Sequence, residues 1–377
     1  GGMRQRVCIA LALALNPLIL IADEPTTSLD SLTSYEIMKE LVDLCKNFGS
    51  TLILISHDIG LAAKWCKEVA IIENGMIIER GSITEIFNSP KSAIGKKLVN
   101  SSVSSVEPNL NDNKLNEIIL EAENLRYWYR LNSSIINPKW NRALNEVTFK
   151  LKINETIGVV GLSGSGKSTL GKALVGLLEL RGGNIKYYIN NNKFKSIKNQ
   201  KINSLNIIQM IFQDPFSSLN PKMTIIDTLE DIGRMNDFYK PKNFRKEIYS
   251  IFNKLHLPIN NNFLNSYPSQ LSGGQLQRIS IARAILLKPK ILICDESLNM
   301  LDAPVKIEIL QLLRKIQNEM QISIIFITHE LGLAKKFCDR ILIINKGKII
   351  EEGYSQNIFK DPKHSITKNL IHSSLDI

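Results

Sequence analysis

Nine consecutive residues, GLSGSGKST at 161–169, are suited to holding phosphate. Gly161, Gly164 and Gly166 let backbone N–H groups wrap an anion, with Ser163, Ser165 and Thr169 inside the same cradle. Lys167 is placed to reach β- and γ-phosphates, and the Ser168 hydroxyl to coordinate Mg²⁺. A second pair, Asp295-Glu296, closes the apolar run that begins at Lys290. An acidic side chain at the end of a parallel strand beside such a loop can hold Mg²⁺ through water, which suits Asp295. Its neighbour Glu296 can polarise an attacking water as general base. Taken alone, Asp-Glu after an apolar run is usually a solvated strand end. Beside a phosphate loop it becomes the acidic half of a hydrolytic site.

Such a site needs specific elements around it. The loop follows a β-rich run at 155–160 and precedes a helical pattern, LGKALVGLL, at 170–178. Strand, glycine-rich loop and helix is the required context, because the helix N-terminus adds a positive dipole end to the N–H cradle. LSGGQ at 271–275 is expected to cap a helix starting near Gln275, and so to offer a second phosphate-facing N-terminus.

The chain repeats itself without gaps. GGMRQRVCIALALALNPLILIADEPTTSLD (1–30) aligns with GGQLQRISIARAILLKPKILICDESLNMLD (273–302), residue n onto residue n + 272. The same offset carries ISHDIGLAAKWC (55–66) onto ITHELGLAKKFC (327–338), and Gly75 onto Gly347. A match of roughly a hundred residues sets the domain organisation before any element is assigned. Residues 1–100 match only the last part of a unit running from 117 to 377, and no phosphate loop stands in the first copy. The expected organisation is a C-terminal portion of a first unit at 1–100, a Ser/Asn-rich linker at 101–116, and a complete unit at 117–377. The opening Gly1-Gly2 reads as the interior of a truncated motif. The first copy thus lacks part of the sheet that should bury its strands, and an inactive, broken protein is one reading of the sequence.

Composition narrows the class. The chain has 377 residues, 44% hydrophobic and 22% charged, with a net charge of +11. That is globular composition, not collagen-like, disordered or polytopic. The positive balance permits nucleic acid, nucleotide phosphates or an anionic membrane face as partners. The five cysteines have no metal-ligand spacing and read as small buried apolar residues in a reducing compartment. Residues 3–15 imitate a signal peptide, but their pattern recurs deep in the chain, and Asn16-Pro17 interrupts the apolar run.

Three further motifs give a family resemblance. LSGGQ (Leu271, Ser272, Gly273, Gly274, Gln275) lies just before the Asp295-Glu296 strand, Gln213 sits in IFQDP (211–215), and His329 follows ISIIFIT (322–328). This set, in this order, resembles the ATP-binding subunits of ABC transporters across nearly the whole chain. The resemblance implies an α/β fold: a phosphate-loop core with a mainly parallel sheet, an antiparallel β portion near 117–160, and a helical portion near 225–270 bearing the signature. It implies ATP and Mg²⁺, with Gln213 contacting the metal and His329 the γ-phosphate. Tyr129 falls where the family stacks an aromatic ring on adenine, with Tyr127 and Trp128 as neighbouring alternatives. The signature serves a nucleotide held by the opposite half. Gly1 and Gly2 are the remnant of the first-half signature, followed by Asp23, Glu24, Asp30 and His57.

FQDPFSSLNPKMT (212–224) and the ends of both copies look like the oligopeptide/dipeptide/nickel importer group and its fused two-ATPase proteins. That likeness implies two transmembrane permease subunits, a solute-binding protein, and a second ATPase half or homodimer. It implies a peripheral place on the cytoplasmic face of the membrane, no nucleic acid and no peptide pocket on this chain. A soluble tandem ATPase acting on ribosomes or nucleic acid is the alternative, but the short linker does not resemble that class. SLNMLD (297–302) departs from the family's Pro-containing D-loop, which bears on communication between ATP sites.

Overall fold

The computed structural model describes residues 2–26, 29–103, 106, 117–130, 139–189, 193–196, 207–234, 241–299 and 301–374. Gly1 and most of the expected linker lie outside these residues.

At the centre is a six-stranded sheet in the order Ile208–Ile211, Ile291–Asp295, Ser323–Thr328, Thr156–Val160, Arg340–Asn345, Lys348–Tyr354. The first five are parallel and only the last pair is antiparallel. Every residue of 156–160, 291–295 and 323–328 is buried. That explains why these strands read as unbroken apolar runs rather than alternating ones, since a parallel sheet is covered on both faces. A separate four-stranded antiparallel sheet has the order Trp140–Lys152, Ile118–Arg130, Gly182–Ile189, Lys193–Ser196. It extends beyond the stretch expected from sequence, because strands 182–196 return to it after the phosphate-loop helix. Strand 156–160, by contrast, belongs to the parallel sheet. Helices Ile225–Arg234 and Pro241–Lys254 supply the helical portion. Among the described residues, no helix is long and apolar enough to cross a membrane.

The first copy reproduces the second at fine grain. Strand Ile19–Asp23 pairs in parallel with Thr51–Ile55, in the register Ile19↔Thr51 that matches Ile291↔Ser323. The hairpin Glu68–Glu73/Met76–Ser82 carries an irregularity at Ile71/Ile72, and its counterpart carries one at Ile343/Ile344. The copies diverge in sheet assembly. In residues 117–377, strand 156–160 hydrogen-bonds both 323–328 and 340–345. No described strand fills that place in the first copy, so its strands form two separate pairs. Ile325, within the six-stranded sheet, is 0% exposed. Ile325→Ala is therefore expected to cost about 2–5 kcal/mol. Thermal unfolding checks this; an unchanged midpoint would contradict it.

The first copy also touches the second. Lys97 pairs with Glu308 at 3.1 Å. The ring of Tyr35 lies 5.5 Å from that of His372. Lys336 donates to the Ser101 carbonyl at the end of helix Ala93–Val103. One local device occurs in both copies. Glu351 accepts from the backbone N–H groups of Lys363 and His364, at 2.8 and 3.0 Å. Its counterpart Glu79 accepts from those of Lys91 and Ser92, at 2.8 and 2.9 Å. Each carboxylate clasps the helical extension that follows its hairpin.

Candidate functional site

The phosphate loop sits where strand 156–160 gives way to helix Lys167–Leu174. Its path depends on glycine. Gly166, the N-cap, has φ 108°, and a Cβ there would lie 2.2 Å from the Ala143 carbonyl oxygen. Gly164 also has positive φ, at 73°. Lys167 is buried, with Nζ donating to the carbonyls of Gly161 (2.9 Å) and Leu162 (3.0 Å) and lying 3.4 Å from Glu296 Oε1. The ammonium is thus folded back into the loop's own ring of oxygens. Among the described residues the buried Ser165 hydroxyl has no partner, an unpaired polar atom inside the cradle.

The acidic pair stands opposite. Ser168 Oγ donates to Asp295 Oδ1 at 2.9 Å, joining the two side chains expected to share a metal. A serine hydroxyl and a carboxylate are hard oxygen donors, and an oxygen set with room for phosphate oxygens and water suits Mg²⁺. Burial pushes the Asp295 carboxyl up, opposed by the Ser168 bond. Burial also pushes Glu296 up, but its neighbours, the Lys167 ammonium among them, outweigh it, and the carboxyl lies below its usual value. Glu296 therefore stays an anion at neutral pH.

Glu296 carries a signal that sequence reasoning did not use. Its φ is 46°, in the left-handed region, and the φ of its counterpart Glu24 is 45°. A non-glycine residue is held there only where its surroundings fix it, and such positions cluster at working sites. Both glutamates are pinned by one backbone bond, Glu296 N–H to Ile327 O (2.9 Å) and Glu24 N–H to Ile55 O (3.0 Å). Gln213 Nε2 donates to Glu296 Oε2 at 3.3 Å, so the residue after strand 208–211 reaches the same carboxylate. His329 Nδ1 lies 3.7 Å from Glu296 Oε1. Lys167, Ser168, Gln213, Asp295, Glu296 and His329 therefore converge at the ends of four parallel strands, in the crevice where open α/β sheets carry their ligands.

Of the three aromatic candidates, Tyr129 stands nearest the loop. Its hydroxyl lies 3.5 Å from Thr169 Oγ1, and Tyr129 is 39% exposed. The Tyr127 ring packs edge-on against it at 4.9 Å. Trp128 faces Arg142 and Arg181 instead.

The signature helix spans Gly273–Ile285, starting two residues earlier than expected. Ser272 is its N-cap and forms a capping box with Gln275, so both motif side chains are spent on the helix start. Leu271, Gly274 and Gln275 are half-buried, Ser272 and Gly273 exposed. Among the described residues, no hydrogen bond joins 271–275 to 161–169.

In the first copy, Gly2 opens helix Gly2–Leu13, while Gly1 lies outside the described residues. Asp30 caps helix Ser31–Phe48 through Thr33 N. His57 Nδ1 is 2.7 Å from Glu24 Oε1, and Asp23 is exposed. Ser31, the residue after Asp30, donates its hydroxyl to the His329 carbonyl at 2.7 Å. This contact between residues 298 apart in sequence carried no sequence signal. Of the five cysteines expected to be buried, Cys8 is exposed and Cys66 half-buried; burial pushes the Cys294 thiol up to about 12 and holds Cys338 well above its ordinary value.

The comparisons agree with this geometry. A family model described as ABC transporter matches residues 144–299. The peptidoglycan transport ATP-binding protein YejF of Agrobacterium fabrum is 31% identical, the match covering 100% of this chain and 68% of the relative. The glutathione import ATP-binding protein GsiA of Escherichia coli K12 is 33% identical, over 98% of this chain and 63% of its own length. The chain thus spans about two thirds of the length of such relatives. Among solved structures, a dimeric ATP-binding cassette in a post-hydrolysis state with ADP and Pi matches with a TM-score of 0.54 and 26% identity, over 63% of this chain and 99% of that one. With the phosphate loop, acidic pair, signature and histidine in place, and with relatives of this identity and coverage, the chain belongs to the ATP-binding proteins of ABC transporters and is an ABC-type ATPase.

Proposed function

We propose that this chain hydrolyses ATP to drive an importer of peptide-like substrates, acting through separate transmembrane subunits at the cytoplasmic face of the membrane. Support for the substrate class comes from the relatives, whose names specify peptidoglycan transport and glutathione import. The observation that carries the hydrolytic reading is the convergence of Lys167, Ser168, Asp295, Glu296 and His329 at one sheet end. Residues 117–377 would form the complete ATPase unit and 1–100 the C-terminal portion of its sister.

Each residue then has a task. Lys167 leaves its carbonyl ring for the β- and γ-phosphates, and the phosphate-loop N–H groups hold the rest of the chain of charge. Tyr129 offers its exposed face to adenine. Ser168, Gln213 and, through water, Asp295 would hold Mg²⁺, which when bound neutralises charge on the phosphates. Glu296 takes the proton from the attacking water. His329 donates to the γ-phosphate. The signature at 271–275 serves a nucleotide bound by another half, and Gly1-Gly2 serves the nucleotide at Lys167. The Ser31–His329 bond supports that arrangement, because it brings the end of the first D-loop to this site.

The test is the chain assembled with its two permease subunits in lipid vesicles. MgATP hydrolysis is expected, accelerated by a peptide-loaded solute-binding protein and stopped by EDTA. Turnover that ignores the permeases but rises with ribosomes or nucleic acid would favour the soluble alternative instead.

A further inference from the structure

The two copies place the same catalytic-type pair differently. In the first, His57 Nδ1 contacts Glu24 Oε1 directly at 2.7 Å. In the second, the equivalent distance from His329 Nδ1 to Glu296 Oε1 opens to 3.7 Å, too long for a hydrogen bond. What differs at this point is Asn299. Its side-chain Nδ2 donates to Glu296 Oε2 at 3.0 Å and lies 3.4 Å from His329 Nδ1. A backbone bond from Asn299 N–H to Glu296 O, at 3.2 Å, turns the chain so that the amide reaches both groups. The counterpart of Asn299 in the first copy is Thr27, which has no amide and lies outside the described residues.

The chemistry of an amide fixes the rest. Turning the Asn299 amide over would set its oxygen against the Glu296 carboxylate, two acceptors face to face. The nitrogen therefore faces the site, and its two hydrogens point at Glu296 and at His329 Nδ1. An Nδ1 that meets an N–H must present its lone pair, which leaves the ring proton on Nε2. The His329 backbone is meanwhile held by Ser31.

We infer that Asn299 is a positioning residue, whose side-chain amide locks His329 in the Nε2–H tautomer and keeps Glu296 from engaging the histidine. This rests on the proposed roles of Glu296 and His329. Its consequence is a ring that offers an N–H, not a lone pair, to an anionic γ-phosphate, and a base free of the histidine's proton.

The tautomer can be read directly. The full chain, nucleotide-free and ¹⁵N-labelled at its five histidines, is examined by long-range ¹H–¹⁵N spectra at a pH where the rings are neutral, with His329→Gln giving the assignment. Wild type is expected to show Nε2–H at His329 and Nδ1–H at His57. Asn299→Ala should convert His329 to the Nδ1–H form while His57 stays unchanged, which also confirms that the variant is folded. Asn299→Ser, whose hydroxyl both donates and accepts, should give a mixture. In the permease complex, Asn299→Ala should lower kcat about tenfold, with KM for MgATP within about twofold. An Nδ1–H His329 in wild type, or an unchanged Nε2–H in Asn299→Ala, would overturn the assignment. A wild-type complex that shows the expected tautomers but never hydrolyses MgATP would instead overturn the functional reading.

Discussion

Glu296→Gln is expected to slow ATP hydrolysis by about 10²–10⁴-fold, the usual contribution of a general base, while nucleotide binding persists. Gln fills nearly the same space and keeps a hydrogen-bonding end toward Asn299 and Gln213, but it cannot accept a proton. The site makes the anion available: burial alone would favour the neutral acid, and its neighbours, the Lys167 ammonium 3.4 Å away among them, reverse that. The loss should fall on kcat, because Glu296 does not hold the phosphates. Phosphate release from the permease complex, measured beside nucleotide retention, checks both halves of the statement. Unchanged turnover would remove Glu296 from the role of base.

Lys167→Met should act differently. The ammonium is 4% exposed and has three oxygen partners within the protein. With nucleotide it would exchange carbonyl oxygens for phosphate oxygens, a charge-assisted bond worth about 1.5–3 kcal/mol, so ATP should bind about 10–100-fold more weakly. Hydrolysis should fall further still, since charge developing on the transferred phosphoryl group loses a stabilising cation. Binding of a fluorescent ATP analogue separates the two effects. The Glu296 carboxyl should also rise in pKa, because the Lys167 charge that helps hold it down is gone. Combining Lys167→Met with Glu296→Gln should cost less than the sum of the two losses, as expected for groups in contact. Full additivity, or wild-type affinity in Lys167→Met, would argue that the ammonium never leaves its carbonyl ring.

Much of this was legible in residues 161–169, 271–275 and 295–296, because those motifs are local and each has one structural context that suits it. The offset of 272 was equally informative. It anticipates the matching registers of 19–23/51–55 and 291–295/323–328, and even the shared positive φ of Glu24 and Glu296. Two things were hidden. Asn299 was visible only as a departure from the family's D-loop, because what an amide does depends on which way it points. Ser31 gave no signal at all, since its hydroxyl meets a backbone carbonyl and any residue at 329 supplies one. The extent of the antiparallel sheet was underestimated for a similar reason: strand pairing across the phosphate-loop helix leaves no periodic trace in either partner.

The carboxylate clasps at Glu79 and Glu351 are a local device that both copies carry. Both bridge only 12 or 13 residues, from a hairpin to the extension behind it. Short loops close at little entropic expense, so each hairpin and its extension should hold together as one local unit. Burial pushes Glu351 up, yet its bonds to Lys363, Thr367 and His364 hold it below its usual value, so the clasp keeps its charge well into mild acid. Each tail segment is thus tied to its own hairpin by a carboxylate, in the same way in both copies.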